Sequence, residues 1–509
     1  MSSERRAIFL PRAGRLFRLD LERVSGWILE LREGSGMDRR GFCFRLGALS
    51  GALLAPSSLR ADDVAPTEGS TVSPATAGIG ASGIEARWAA VPPPAERMAW
   101  WTEARFGLFV HWGIYAIPAR GEWVQFREQI PVKDYARLAD QFRPTQFDAD
   151  AWAALAKDAG MKYTVLTARH HDGFVLFDDP GNSFTSMSTA AHTDFVAAYT
   201  KAVRKAGLRV GLYYSPLDWR FPGFFFPNLY RESAEQMREQ YHRQIRLLLS
   251  NYGEIDVLWF DGGESDWLSF GHDMNSPDFP KRKPGEHYRG QFSWQGAVVN
   301  EAIRKLQPQI IVNNRGADVS PDYYSREWIT GDFDRSTPWE ACYPLAGSWG
   351  YAGDTEPMTL GEAIQLLANV AGRDGNLLLN IGPRADGSIV ASHAARLREI
   401  GEWLGKFGES IYGTRGGPFL PGSYGASTCR GDTIYIHVLE KSAGRLKLPP
   451  IPAQVTGAAS LTGEAVRFTQ SAGGIDLVVT RNSANEVNAV IALKLDRPAG
   501  VVNPVDVEA

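Results

Sequence analysis

One carboxylate, Asp261, stands where a side chain could act on a bound ligand. It ends the apolar run from Val257 to Phe260 and is followed by two glycines. A run of this kind predicts a buried parallel strand that presents its last side chain at the carboxyl end. A carboxylate held there can serve as a nucleophile or in proton transfer. The alternative is structural, because an aspartate after a strand often caps the following helix.

Other apolar runs along the chain also end on polar or aromatic side chains. The residues at these ends are His111, His170, His171, Tyr213, Tyr214, Asn314, Arg315 and Asn380. In a barrel of parallel strands the carboxyl ends meet on one face, and the active site is built there. The pattern therefore predicts a (β/α)8-like barrel, also called a TIM barrel, whose active site draws on several strands.

Helical segments alternate with these runs. The sequence predicts helices over residues 150–159, 192–206, 231–253, 294–307, 359–372 and 389–408. Gly160 and Gly207 follow the first two as expected C-caps. This alternation favours a parallel sheet with right-handed crossovers. A doubly wound open sheet fits it too, but no glycine-rich phosphate loop follows the first strand, and the polar residues are spread over at least five strand ends.

Composition and cysteine count exclude several classes of function. A formal net charge of −4 over 509 residues gives no reason to expect nucleic acid or an anionic membrane as a partner. The cysteines are Cys43, Cys342 and Cys429, with no CxxC pair, so a structural zinc site is not predicted. A disulfide between Cys342 and Cys429 has no support from the sequence.

The N-terminal residues 1–61 resemble an extension followed by an export signal. After Met37 come the paired Arg39 and Arg40, a short apolar core, and a small residue at Ala61. This order is typical of a twin-arginine signal peptide and predicts a periplasmic or secreted protein, with Met37 as a candidate start. The apolar core is too short to span a bilayer as a helix. The alternative is a cytosolic tail that contains a chance arginine pair.

Two further segments complete the predicted domain organisation. Residues 62–87 are rich in Ala, Gly, Ser, Thr and Pro and predict a flexible linker. Residues 88–411 hold the predicted barrel. Over residues 412–509, short alternating segments such as 433–439, 474–479 and 490–495 are separated by turn residues and predict a C-terminal antiparallel β-sandwich.

The motifs of the chain, taken in order, resemble the α-L-fucosidases of glycoside hydrolase family 29. The motifs are FGLFVHWGIYAIPA, GEW, TARHHDGF, GLYYS, LWFDG, NNRG, WE followed by SWGY, and NLLLNIGP. The resemblance runs from about Trp100 to the C-terminus. It implies a catalytic barrel followed by a β-sandwich, and fucosylated glycans or fucosides as substrates. No cofactor and no metal are predicted.

The resemblance also implies a retaining double displacement in which two carboxyl groups act as nucleophile and acid/base. Asp261 matches the nucleophile of the LWFDG motif. Glu340 is predicted as the acid/base because Trp339-Glu340 precedes SWGY, as the acid/base does in many family members. Four other carboxylates compete with Glu340 for that role: Glu264, Asp266, Asp332 and Asp334.

The positions that match sugar-binding residues of the family are His111, Glu122, Trp123, His170, His171, Tyr213, Trp259, Arg315 and Trp349. Trp349 is expected to face the fucose methyl group. For Tyr213, the neighbouring Tyr214 is an equal candidate on spacing. Arg315 is expected to contact the sugar or the nucleophile, or else to form a structural ion pair.

The adjacent His170 and His171, with Asp172, also suggest a metal site. Neighbouring residues on a strand point to opposite faces, which argues against their convergence on one ion. His171 could instead be a hydrogen-bonded core residue. Two other functions stay open, a catalytically silent fucose-binding protein and a barrel glycosidase for another sugar. The presence of both Asp261 and Glu340 argues against the silent protein.

Overall fold

The structure is a computed structural model that describes residues 9–12, 15–18, 94–262, 292–316, 319–439, 444–480 and 487–507. The predicted signal peptide and the linker over residues 62–87 lie outside the described residues. Within the first of two compact units, residues 1–78, two short antiparallel strands are described, Phe9–Arg12 and Arg15–Arg18. The barrel and the C-terminal sheets belong to the second unit, Ile79–Ala509.

Eight parallel strands form the sheet of the barrel. They are β1 Phe106–Val110, β2 Tyr163–Arg169, β3 Arg209–Tyr214, β4 Val257–Phe260, β5 Ile311–Val312, β6 Tyr324–Glu327, β7 Trp339–Pro344 and β8 Asn376–Ile381. Their order is β5-β4-β3-β2-β1-β8-β7-β6, with every neighbouring pair parallel. A parallel bridge between Asn313 and Tyr323 joins the outer strands β5 and β6. The strands therefore follow one another around the predicted (β/α)8-like barrel.

Most of these strands are apolar and covered on both faces. Every residue of β1, β2, β4 and β8 is buried, as expected for parallel strands between a packed interior and a layer of helices. Strand β6, with the sequence Tyr-Ser-Arg-Glu, is the exception, because none of its four residues is fully buried. No apolar run marks this strand in the sequence.

The helices are α1 Pro94–Ala104, α2 Val124–Arg127, α3 Val132–Ala136, α4 Leu138–Gln141, α5 Ala149–Asp158, α6 Phe195–Lys205, α7 Pro222–Phe225, α8 Arg231–Asn251, α9 Gly296–Leu306, α10 Leu360–Gly372 and α11 Ala391–Phe407. The six helices predicted from the sequence are present as α5, α6, α8, α9, α10 and α11, whereas α1, α2, α3, α4 and α7 were not predicted. Gly160 and Gly207 follow α5 and α6 with φ of 80° and 77°, the left-handed conformation of a C-cap. Among the described residues, no α-helix separates β5 from β6 or β6 from β7.

Two antiparallel sheets follow the barrel. Their strands are β9 Arg415–Gly416, β10 Gly425–Arg430, β11 Thr433–Val438, β12 Arg445–Leu448, β13 Val455–Ser460, β14 Ala465–Ser471, β15 Gly474–Thr480 and β16 Ala489–Leu495. The first sheet has the order β9-β10-β11-β16-β13 and the second β12-β15-β14. Residues from both sheets, such as Ile436, Ile491 and Leu477, share one hydrophobic core. The predicted sandwich is thus confirmed, while the domain boundaries after residues 61, 87 and 411 remain predictions.

The five-stranded sheet packs its other face on the barrel. Thr428 Oγ1 donates to the Ser410 carbonyl at 2.5 Å, and Tyr435 Oη donates to Glu409 at 3.2 Å. Cys342 on β7 and Cys429 on β10 are buried free thiols, not a disulfide. Among the described helices, none combines the length and apolar character needed to cross a bilayer.

Candidate active site

A cavity of about 370 Å³ lies at the carboxyl ends of the barrel strands and opens to solvent. It is lined by Phe109, His111, Trp123, His170, His171, Tyr213, Trp259, Asp261, Arg315, Glu327, Cys342 and Trp349. Nine of the eleven residues predicted from the sequence are in this lining. Glu122 and Glu340 are not, whereas Phe109, Glu327 and Cys342 line the cavity without having been predicted.

Asp261 is held by three neighbours within the cavity. Arg315 Nη2 lies 2.9 Å from its Oδ1, Tyr213 Oη donates to its Oδ2 at 2.6 Å, and His171 Nε2 lies 3.5 Å from Oδ2. Burial alone would raise the pKa of Asp261, but the charge of Arg315 and the other neighbours outweigh burial and lower it. The site therefore keeps an ionised, oriented carboxylate at the end of β4.

The hydrogen bonds of His111 define its tautomer. Asn380 Nδ2 donates to the Trp349 carbonyl at 2.8 Å, so the amide oxygen of Asn380 faces His111 Nδ1 at 2.7 Å. That oxygen can only accept, and Nδ1 therefore carries the proton. Burial lowers the pKa of His111 to about 4, so the ring is neutral near neutral pH. The remaining nitrogen, Nε2, is left as an acceptor for a ligand hydroxyl.

His170 lines the cavity and has a buried ring nitrogen that is unsatisfied within the described part of the chain. Its Nδ1 has no hydrogen-bond partner among the residues that the structure describes, although the atom is shielded from solvent. Burial, followed by the charges of His171 and His111, holds the pKa of His170 well below its ordinary value. A neutral imidazole with an unused nitrogen beside the nucleophile suits a sugar hydroxyl.

His170 and His171 both line the cavity, so the expectation that they point to opposite faces is wrong. Strand β2 ends at Arg169, and side-chain alternation no longer applies to the two residues that follow. The alternative that His171 is a hydrogen-bonded core residue is met in part, because its Nδ1 lies 2.6 Å from Ser215 Oγ. The same ring is also turned toward Asp261.

Ligand atoms of His170, His171 and Asp261 lie within 4.8 Å of one another, close enough to reach one cation. The sequence suggested Asp172 as the third ligand, but the structure has Asp261 in that place. Asp172 instead accepts from Tyr135 Oη at 2.9 Å and is not in the cavity lining. Asp261 already has the guanidinium of Arg315 at 2.9 Å. That positive charge would repel a cation, so the arrangement fits a neutral polyhydroxylated ligand better.

Glu327, at the end of β6, is the carboxylate that sequence reasoning missed. Its Oε2 lies 2.9 Å from Arg315 Nη1, and its Oε1 accepts from Trp349 Nε1 at 3.1 Å. The side chain is 36% exposed, so solvent and a leaving group can reach it. Arg315 thus forms an ion pair with Asp261 through Nη2 and another with Glu327 through Nη1. The two carboxylates of the cavity lie at opposite ends of one guanidinium group.

Glu340 lies behind the cavity and not in it. It is the second residue of β7, fully buried, and pairs in register with Asn376, the first residue of β8. Its carboxyl accepts hydrogen bonds from Tyr163 Oη and from Trp259 Nε1. The geometry therefore gives Glu340 contact with the back of Trp259 but none with a ligand in the cavity.

The two other described rivals for the acid/base role, Asp332 and Asp334, lie outside the cavity lining. Asp332 is exposed, and its backbone carbonyl accepts from Arg326 Nη1 at 3.3 Å. Asp334 holds a turn by accepting from Ser336 Oγ at 2.7 Å. Neither lines the cavity. Glu264 and Asp266 lie outside the described residues.

Glu122 supports the loop that carries Trp349. Its Oε2 accepts from the Gly350 backbone N–H at 2.7 Å and from Ser348 Oγ at 3.4 Å. The carboxylate is buried and does not line the cavity, unlike its neighbour Trp123. Its position favours a role in holding Trp349.

The structure separates the two tyrosines that the sequence left as equal candidates. Tyr213 points inward and donates to Asp261, while Tyr214 points outward and donates to Gln244 at 2.7 Å. Tyr213 also stacks on Trp259 at 5.6 Å with an interplanar angle of 15°. Only Tyr213 belongs to the cavity.

Comparison with known proteins gives a consistent result. A family model described as alpha-L-fucosidase matches residues 77–409. Bovine tissue alpha-L-fucosidase is 31% identical over 348 residues, which cover 62% of this chain and 69% of the relative. Human tissue alpha-L-fucosidase is 32% identical over 355 residues, again 62% of this chain and 69% of the relative.

Two solved bacterial structures resemble the chain over most of its length. Alpha-L-fucosidase isoenzyme 1 from Paenibacillus thiaminolyticus is 32% identical with a TM-score of 0.68, and the match covers 79% of this chain and 99% of that one. An alpha-L-fucosidase from Bacteroides thetaiotaomicron is 25% identical with a TM-score of 0.68, covering 79% of this chain and 96% of its own. The latter structure holds a covalent intermediate trapped with 2-fluoro-fucosyl fluoride in a glutamate-to-glutamine mutant.

Proposed function

This chain belongs to the α-L-fucosidase family of glycoside hydrolases, and we propose that it is an exo-acting, retaining enzyme that releases terminal α-L-fucose from glycans. One observation carries the mechanistic part of the proposal. Asp261 and Glu327 face the same cavity and share the guanidinium of Arg315. Two carboxyl groups at a bound sugar, with different surroundings, are what a double displacement requires.

In the first step, Asp261 attacks the anomeric carbon and forms a covalent fucosyl ester while the bond to the leaving-group oxygen breaks. Glu327 gives its proton to that oxygen, and the aglycone leaves as an alcohol. The contacts of Asp261 suit this role, since Arg315 and Tyr213 keep it ionised and aim it. Its lowered pKa means that it needs no deprotonation before attack.

In the second step, Glu327 removes a proton from water, and the oxygen of that water displaces Asp261 from the anomeric carbon. The first step neutralises Asp261 by esterification and leaves Glu327, which has given up its proton, as a carboxylate. Glu327 is then the remaining anion next to the guanidinium, which stabilises it as a base. Two inversions at one carbon give fucose with the configuration of the substrate.

The remaining lining residues suit a deoxy sugar. The neutral rings of His111 and His170 line the cavity and can hydrogen-bond to sugar hydroxyls. Phe109 packs against His111 and Trp349, with ring centroids 4.4 and 6.1 Å apart, and contributes an apolar wall where a methyl group can rest. A cavity closed at its base by barrel side chains favours a terminal sugar over an internal one.

The activity is tested with nitrophenyl α-L-fucoside against a panel of other nitrophenyl sugars. Hydrolysis of the α-L-fucoside alone supports the proposal, and preference for another sugar would mean a different glycosidase. Binding of fucose without turnover would identify a catalytically silent protein. Proton NMR of the early reaction should show α-L-fucose first, whereas an initial β-anomer would exclude a retaining mechanism.

The nucleophile is tested by trapping. Incubation with 2-fluoro-fucosyl fluoride, followed by peptide mapping, should place the fucosyl adduct on Asp261. Asp261→Asn is the matched control and should give no adduct. An adduct on any other residue would overturn the assignment.

A further inference from the structure

We propose that Trp328 is a platform for the first sugar of the leaving group, so that the preferred substrates are fucosides of another pyranose. This inference rests on the proposed function and concerns the aglycone side of the same site. The aglycone it would take is a ring with one apolar face, such as galactose or N-acetylglucosamine.

Trp328 combines exposure with a strained backbone. Trp328 is 50% exposed, although large aromatic residues are usually buried. Its φ of 60° lies in the left-handed region, which bulky residues rarely adopt. Its backbone N–H donates to the Cys342 carbonyl at 3.2 Å, which anchors the residue on β7. Strained positions of this kind occur preferentially at active sites and ligand clamps.

The indole lies directly outside the cavity. Trp328 follows Glu327 in the chain, and its ring centroid is 5.5 Å from that of Trp349 at an angle of 65°. Trp349 and Glu327 both line the cavity, while Trp328 does not. Trp328 also meets the ring of Tyr343, with the centroids 6.0 Å apart and an interplanar angle of 70°. The indole therefore contacts two aromatic rings, while half of the residue remains exposed to solvent.

The position of the general acid determines where the aglycone must lie. The oxygen protonated by Glu327 is bonded both to fucose and to the first sugar of the leaving group. With fucose inside the cavity, that sugar starts at Glu327 and extends toward solvent. Trp328, the next residue in the chain, is an exposed aromatic side chain among the described residues. Sugar rings pack their C–H faces on indoles, which gives an aromatic residue at this place a function.

An exposed tryptophan without any role is the competing explanation. Tyr324, at the start of the same strand, is 47% exposed and provides the comparison. It lies at the opposite end of β6 from Glu327, and it is not among the residues with positive φ. The strain and the contact with Trp349 are found only at the end of the strand that meets the cavity.

The test compares two substrates on the full chain. One is α-L-fucosyl fluoride, whose leaving group has no ring, and the other is the best substrate from a panel of fucosyl-galactose and fucosyl-N-acetylglucosamine disaccharides. In Trp328→Ala, the ratio of kcat/KM for the disaccharide to that for the fluoride should fall roughly tenfold. Trp328→Tyr retains an aromatic face and should keep this ratio within about threefold of wild type.

Tyr324→Ala is the matched control and should leave the ratio unchanged. An unchanged ratio in Trp328→Ala overturns the proposal, as does a wild-type enzyme that hydrolyses the fluoride but none of the disaccharides. An equal loss on both substrates also overturns it, because the effect would then be on the fucose site. Failure of the wild type to hydrolyse even the fluoride would instead refute the proposed function.

Discussion

The indole of Trp259 separates Glu340 from the cavity. Its Nε1 donates to Glu340 Oε1 at 3.0 Å, while the same ring lines the cavity and lies under Arg315, whose guanidinium carbon is 5.4 Å from the ring centroid. The buried Glu340 thus fixes the orientation of Trp259. Trp259 in turn contacts Arg315, the cation that both cavity carboxylates share. Glu340 is suited to position Trp259, and Glu327 is suited to transfer protons.

The first prediction distinguishes these two roles. Glu327→Ala should slow cleavage of natural fucosides by about 10²–10⁴-fold, because their poor leaving groups need protonation. Activated aryl fucosides should lose less, since their first step needs little acid assistance. Azide should then restore turnover by replacing the water that Glu327 activates, and the product should be a fucosyl azide.

The control for this experiment is Glu340→Gln, which keeps the shape of the buried side chain. It should show no azide rescue, because its effect is on the placement of Trp259 and not on a proton. Azide rescue in the Glu340 variant with none in Glu327→Ala would restore the assignment made from the sequence.

The second prediction concerns stability and pH. Burial, opposed by hydrogen bonds from Tyr163 and Trp259, raises the pKa of Glu340 from 4.5 to about 7. The folded protein therefore retains a proton that the unfolded chain loses. The stabilisation is fully present below the unfolded pKa of 4.5 and is lost as the pH rises through about 7. Glu340→Gln should remove this loss.

The effect is measured by urea denaturation of wild type and Glu340→Gln at about pH 5 and about pH 8. The quantity compared is the free energy of unfolding of the variant minus that of wild type. This difference should shift in favour of Glu340→Gln at the higher pH, on the order of 1–3 kcal/mol. A difference that is the same at both pH values would mean that Glu340 does not change its protonation on unfolding in this range.

The third prediction uses the adjacent tyrosines as a matched pair. Tyr213 donates a 2.6 Å hydrogen bond to Asp261, and this bond lowers the pKa of the carboxylate. Tyr213→Phe removes the bond. Without it, the acidic limb of the kcat/KM profile should move to higher pH, because the nucleophile is ionised only at higher pH. We expect kcat/KM at its optimum to fall about tenfold or more, since a hydrogen bond to a charged group contributes about 1.5–3 kcal/mol.

Tyr214→Phe removes the same hydroxyl group from a side chain that bonds to Gln244 outside the cavity. It should leave both the rate and the pH profile unchanged. Equal effects of the two substitutions would show that loss of a barrel hydroxyl, and not contact with the nucleophile, is responsible.

The fourth prediction concerns export and rests on residues outside the described ones. Arg39→Lys together with Arg40→Lys should leave precursor in the cytoplasm of a bacterial host that has the twin-arginine pathway. Cell fractionation and N-terminal sequencing measure this, with a mature start expected near Asp62. The earlier pair Arg5 and Arg6 provides the control, because the same double change there should have no effect. Cytoplasmic wild-type protein that begins at Met1 or Met37 would contradict the prediction.

Much of the site follows from the sequence because of how parallel barrels are built. An apolar run identifies a buried strand, the residue after it lies at the carboxyl end, and all such ends share one face. His111, Asp261 and Arg315 could be placed together on this basis, and the family motifs added Trp123 and Trp349. Six of the helices and the C-terminal sandwich also followed from periodicity and turn residues.

The choice of the second carboxylate depended on tertiary structure. Glu340 comes at the start of β7, so it is at the opposite end of its strand from the face where Asp261 lies. Glu327 ends β6, whose polar sequence Tyr-Ser-Arg-Glu has no apolar run to identify it as a strand. Which end of a strand a residue occupies is decided by hydrogen-bond register between segments that are distant in the chain, and a local pattern does not contain it. For the same reason, only the packed barrel could show that His170 and His171 converge beyond the end of β2, and that Tyr213 faces the nucleophile while Tyr214 faces away.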